Sequence, residues 1–442
     1  MRVLAAVFSV FFIITATFQA KAELLGIKGY TLDNGMRLIV IPNHKAPIAK
    51  QMVWYKVGAK DETIGKGGAA HLLEHLMFRG TKKVKGKDFN RIMEENGAVS
   101  NAFTSQDVTV YHQFTDISRL ELAMFLEADR MANLKIDDEG FETERQIVYQ
   151  ERKQVVENNP FYQFNEEVAR SFWQNHPYSR PITGTETEIL NLKIEDVRAI
   201  YDKYYAPDNA VLIIAGDINP DTAYHLAQKY YGKIPAKGFT NNKSFPQADA
   251  DINTSFKMSL KNIEIPRLLR KYEAPSYSSD KEQIYAWMVL SKYIGEEDTS
   301  ALYQKMVVND KVATSVSSSY NYTSLGGGSF SIVAVPSAGI SVEKLQEALD
   351  EALKVSVDEF NDNTLKKIKK KMLAGLIYIR DNPTSAAQIA GTLALAGMSD
   401  EEIENYADNI NKVTLSEVKK AAAAILKPAK VEAVAIAKGE KK

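Results

Sequence analysis

Strand-type runs followed by helix-type runs occur twice along this chain of 442 residues, and the stretch 232–253, rich in Pro, Gly, Asn, Lys and Ser, separates the two series without any periodicity of its own. In the first series, 36–42, 51–58, 108–114 and 209–216 are short β-branched or apolar runs. The segments 69–78, 88–95, 117–134 and 138–157 repeat apolar residues at helical spacing. In the second series, 256–260 and 315–335 read as strands and 342–428 as long helices. A chain this long exceeds what one hydrophobic core serves. The expected fold is therefore α+β, with two similar domains, 23–231 and 254–442, joined by 232–253. Each has a mixed, mostly antiparallel sheet with packed helices.

Composition narrows the function. The 55 Lys and Arg nearly balance 56 Asp and Glu, which argues against nucleic acid as a partner. No cysteine is present, so disulfides, thiolate nucleophiles and thiolate-held metals are excluded; a metal here must be held by His and carboxylate. The lysine run Lys366, Lys367, Lys369, Lys370, Lys371 reads as a solvated helix face.

The first residues have the shape of a signal peptide. Arg2 is a positive start, 4–18 are apolar or small, and Ala20-Lys21-Ala22 fits the small-x-small cleavage rule. Residues 1–22 are expected to be removed, leaving a periplasmic or secreted chain of the Gram-negative export type. The apolar stretch is too short for a membrane span, and no later one is long enough without charges. Loss of Arg2 and Lys21 carries the net charge from −1 to −3.

Two of the six histidines stand in His71-Leu72-Leu73-Glu74-His75. On a helix, positions i and i+4 project from one face, so both imidazoles can reach one ion, and Glu74 lies beside them. This is the H-x-x-E-H order of inverted zincins. A catalytic zinc needs a third protein ligand and one open position. Glu144 and Glu151, two turns apart on 138–157, share a face, so one can coordinate while the other supports a ligand. A surface pair of histidines would show the same short pattern. Against that reading, histidine is scarce here and the helix is apolar. His44, His176 and His225 fall in loops or on a polar helix, and His112 shares an apolar strand face, where a packed core residue is expected.

Five motifs in order carry a resemblance: GGAAHLLEHLMFRGT (67–81), NGAVSNAFTSQDVTVYHQF (96–114), ERQIVYQERKQ (144–154), HPYSRPITGTETEI (176–189) and YYAPDNAVLIIAGDI (204–218). With them the chain resembles the pitrilysin/insulinase metallopeptidases, in the branch of mitochondrial processing peptidase and its bacterial two-subunit relatives. The resemblance implies a clamshell of two metallohydrolase-type domains, with one Zn2+ per chain in the first and no metal site in the second. It implies His71, His75 and Glu151 as zinc ligands, Glu74 as general base and Glu144 as the carboxylate behind a ligand. It also implies that Asn101, Ala102 and Phe103 form the strand edge on which a peptide substrate adds as a further β-strand.

One departure stands out. Active relatives place an Arg, followed seven residues later by a Tyr, in the second half or in a partner subunit. Here those positions are Val307 and Thr314, and no arginine occurs between Arg270 and Arg380. The expected partner is thus a homologous sister subunit that carries the pair. A non-catalytic structural or assembly subunit of the same fold is the alternative.

Overall fold

The computed structural model describes residues 23–86, 88–239 and 253–437. The expected signal segment 1–22 and residues 240–252 of the expected linker lie outside the described residues.

The first half builds a six-stranded sheet from β1 (Lys28–Thr31), β2 (Arg37–Pro42), β3 (Ile48–Tyr55), β4 (Val99–Thr104), β5 (Thr109–Asp116) and β6 (Ala210–Gly216), in the order β1-β2-β6-β3-β5-β4. The second half builds a five-stranded sheet from β7 (Thr254–Leu260), β8 (Arg267–Ala274), β9 (Ala313–Asn321), β10 (Gly328–Pro336) and β11 (Val431–Ala437), in the order β7-β11-β8-β10-β9. Among the described residues, only β2–β6 and β7–β11 pair in parallel. Laying β2 on β7 and proceeding in chain order, β2-β6-β3-β5-β4 and β7-β11-β8-β10-β9 are the same topology. The α+β class with two mixed, mostly antiparallel sheets and packed helices is what the structure shows, and the shared strand order shows the duplicated unit.

Each sheet is buried on both faces, and the second cover comes from the other half. Strand alternation sends Ala49, Val53 and Tyr55 of β3 into a core closed by helices of the first half. Met52 and Trp54 point the opposite way, where Ala386, Ala387, Ala390 and Leu393 of helix Pro383–Ala396, from the second half, lie over them. Reciprocally, Phe164, Val168 and Phe172 of helix Tyr162–Trp173, from the first half, cover Leu269, Val431, Ala433 and Ala435 of the second sheet. Fully buried aliphatic and aromatic side chains contribute about 1.5–3 kcal/mol each, so the halves of the expected clamshell are locked along two apolar seams.

Gly391 makes one seam tight. A Cβ there would sit 2.2 Å from Cε2 of Trp54, so the helix backbone rests directly on the indole. Within 366–371, Lys366, Lys367, Lys370 and Lys371 are exposed, while Lys369 donates to the carbonyls of Asn411 and Val413. Among the described residues no helix is long and apolar enough to cross a membrane.

Candidate metal centre

The motif helix, Ala69–Leu76, starts where Gly68 turns through φ +88°. A side chain at Gly68 would meet the Thr183 carbonyl at 2.5 Å, so glycine is required twice over. In place of a capping side chain at Gly68, the buried Glu62 caps the helix from a distance: Oε1 accepts from Ala70 N–H at 2.8 Å and Oε2 from Gly68 N–H at 3.1 Å. Leu72, Leu73 and Leu76 are then driven into the core. His71, Glu74 and His75 keep partial access, with side chains of His71 and His75 12% and 23% exposed.

Opposite them runs helix Asp138–Asn158, opened by Asp137, whose side chain accepts from Gly140 N–H. Its inward stripe is Phe141, Glu144, Val148 and Glu151, two acids among buried apolar residues. Arg152 fixes the far end by paired bonds to Glu166, 2.5 and 2.9 Å.

The two helices bring the expected residues together. Oε2 of Glu151 lies 3.4 Å from Nε2 of His75 and 3.9 Å from Nε2 of His71. One ligand atom from each of the three lies within 4.8 Å of the others. Tetrahedral zinc with bonds of about 2.0–2.2 Å needs neighbouring ligand atoms about 3.3–3.6 Å apart. Two imidazole nitrogens and one carboxylate oxygen at this spacing fit that ion with small adjustments, and they leave a fourth direction open. Behind them, Nδ1 of His75 is 3.1 Å from Oε2 of Glu144, whose other oxygen is 3.5 Å from Nη1 of Arg79. Such a partner fixes the ring tautomer and aims Nε2.

The electrostatics of the side chains differ sharply. Burial pushes the His71 imidazole down to about 4, and the neighbouring His75 adds to this, so the ring is neutral and free to coordinate. Burial also disfavours charge on His75, yet its bonds to Glu144 and Glu151 outweigh burial and lift it to about 9. The bond to His75 holds Glu151 below the usual carboxylate range. Burial raises Glu74, against the opposing bond from Thr104.

Asn101, Ala102 and Phe103 lie in β4, the outermost strand of the first sheet, paired to β5 on one side only. The next residue, Thr104, donates from Oγ1 to Oε2 of Glu74 at 2.6 Å. Sequence reasoning missed Thr104, Glu62, Arg79 and Arg152. A buried-type acid nine residues before the first histidine, and a hydroxyl closing the Asn101–Phe103 segment, were the available signals. The remaining histidines stay apart from this centre: His44 pairs with Asp217 at 2.6 Å, and His112 is half-buried with Nδ1 2.7 Å from Nζ of Lys50 rather than packed in apolar surroundings alone.

With this geometry in view, comparison with known proteins gives two family matches: insulinase, peptidase family M16, over residues 37–186, and the M16 inactive domain over residues 191–372. The chain belongs to the M16 peptidase family. Zinc protease PqqE of Helicobacter pylori is similar, 28% identical over 386 residues covering 86% of this chain and 85% of that protein. The beta subunit of mitochondrial-processing peptidase from Lentinula edodes is 24% identical over 407 residues, 89% of this chain and 86% of that subunit. The crystal structure of a protease from Helicobacter pylori superposes with a TM-score of 0.81 at 26% identity, covering 93% of this chain and 99% of that one. Membership thus rests on both halves of the chain, and M16 relatives of nearly equal length are named zinc proteases.

Proposed function

We propose that this M16 chain is an exported zinc-dependent endopeptidase acting on short or unfolded peptides, and the zinc-bearing subunit of a heterodimer. The observation that carries the reading is the convergence of His71, His75 and Glu151 on one point beside Glu74. His71, His75 and Glu151 would hold the ion. When bound, zinc supplies Lewis-acid polarisation of the scissile carbonyl and acidifies water towards a pKa of about 7. Glu74, raised by burial and steered by Thr104, takes the proton of the attacking water and passes it to the leaving amine. The edge of β4 at Asn101–Phe103 offers main-chain hydrogen bonds to an extended peptide, a mode that would favour unfolded substrates with little dependence on their side chains.

The heterodimer part rests on the second half. Val307 lies in the π-helical turn Tyr303–Asn309 and packs against the second core, while Thr314 Oγ1 donates to the Val335 carbonyl at 3.4 Å. Neither offers a cation. Loss of one preorganised donor at a developing oxyanion costs about 10²–10³ in rate, so a sister chain supplying Arg and Tyr completes the site. A signal-type start at 1–22 supports delivery to the periplasm or secretion.

Elemental analysis of the purified chain should find one zinc per chain, and Glu74→Gln should keep zinc while losing peptidase activity. Retained activity in Glu74→Gln overturns the base assignment. Full activity of the chain alone, unchanged by a co-expressed sister chain, overturns the heterodimer. Val307 and Thr314 also favour a second reading, a non-catalytic assembly subunit; absence of zinc from the purified protein would select it.

A further inference from the structure

On the face of the first sheet opposite the motif helix, a cavity of about 400 Å³ lies between the two halves. Phe103 and Trp54, which touch edge to face at 5.9 Å, form one wall, and Trp173 and Tyr178 form another. Lys271 of β8 places Nζ 4.8 Å from the centre of the Phe172 ring, with no carboxylate pairing it among the described residues. Burial draws this amine down to about 8.

The one acid in the wall does not answer this amine. Asp107 already accepts from Tyr178 Oη at 2.5 and 2.6 Å and from Leu325 N–H at 3.3 Å, and lies 3.5 Å from Nζ of Lys60. A cavity with one unpaired cation between aromatic walls is complementary to a carboxylate that carries an apolar or aromatic group. The cavity also falls within the size range of small-molecule sites, about 300–1,000 Å³.

We propose that this cavity binds the carboxyl end of a short peptide. The terminal carboxylate would meet Lys271. An apolar or aromatic side chain would lie against Phe103 and Trp173. Peptide fragments are also the product class of the proposed hydrolysis, but binding here needs neither metal nor turnover, so this proposal and the peptidase reading stand or fall separately.

Calorimetric titration of the full chain with N-acetyl-L-phenylalanine and with N-acetyl-L-phenylalaninamide tests it. The acid should bind saturably at one site, about tenfold or more tighter than the amide, because only the acid makes a charge-assisted bond. Its affinity should fall as pH rises above about 8. Lys271→Met should remove the preference for acid over amide, and Thr392→Phe, which fills the cavity from the covering helix, should abolish binding of both, each variant being checked for an unchanged circular-dichroism spectrum. Absence of saturable binding would show that the cavity holds water only, and equal affinity for acid and amide, or an undiminished preference in Lys271→Met, would overturn the pairing of the carboxylate with Lys271.

Discussion

The hydroxyl of Thr104 and the carboxylate of Glu74 are 2.6 Å apart, so the strand edge proposed to receive a peptide and the group proposed to move its proton share one hydrogen bond. Thr104 is a positioning residue: it belongs to β4 and acts on the reaction only through Glu74. A hydrogen bond to a charged group is worth about 1.5–3 kcal/mol. Thr104→Val should therefore lower kcat by about 10–100-fold while KM and bound zinc stay near wild type, and Thr104→Ser should restore kcat. Steady-state kinetics with zinc analysis checks this; a rise in KM with kcat unchanged would assign Thr104 to substrate binding instead.

Glu144 and Glu151 share one helix face but occupy different places, one at Nδ1 of His75 and one at Nε2 of both rings. Glu151→Gln should leave the protein without stoichiometric zinc. Glu144→Gln should retain zinc with affinity reduced by about 10–100-fold. Competition with a chromogenic chelator distinguishes the two.

Glu62 gives a pH signature. Burial lifts its carboxyl from the ordinary 4.5 to about 8, against the N–H groups of Ala70 and Gly68 and the nearby Arg180. With the folded value raised, its contribution to stability is full below about 4.5 and is lost as pH rises through about 8. Over that window each pH unit costs about 1.4 kcal/mol relative to a side chain that does not titrate. Urea unfolding at pH 5, 6.5 and 8 should show the wild type losing stability relative to Glu62→Gln. Parallel curves for the two proteins would mean the carboxyl is ionised in the fold.

Gly391→Val places a branched side chain against Trp54, 2.2 Å from the position of its first carbon. Overpacking of this kind costs about 1–3 kcal/mol. The urea midpoint should fall, and it should fall together for tryptophan fluorescence and circular dichroism, because the seam is shared by both halves.

The sequence made the centre legible because its chemistry is local. His71, Glu74 and His75 lie within one helix, and Glu144 and Glu151 within another, so helical geometry alone puts each set on one face. The strands with regular apolar patterning were legible too: β2, β3, β5, β6 and β7 fall where short apolar or alternating runs stand. Others were hidden. β4 reads VSNAFT without apolar alternation, since neighbours Ala102 and Phe103 pack on opposite faces of the sheet. β8 reads RLLRKYEA, with Arg270 answered by Asp350 and Glu432, contacts far away in sequence. β11 is alanine-rich because helix Tyr162–Trp173 packs closely over it. The run 117–134 splits into a 3-10 turn, Ile117–Arg119, and helix Leu120–Asn133, because Asp116 accepts from Ser118 N–H and tightens the start. Thr104 and Glu62 act through tertiary hydrogen bonds, which no periodicity encodes.

Helices Tyr162–Trp173 and Pro383–Ala396 each finish the sheet of the half to which they do not belong. Cut the polypeptide at 232–253 and either fragment would expose a raw hydrophobic slab, prone to clump. The two halves of like topology serve as mutual prostheses, so deleting one of them should leave the other insoluble.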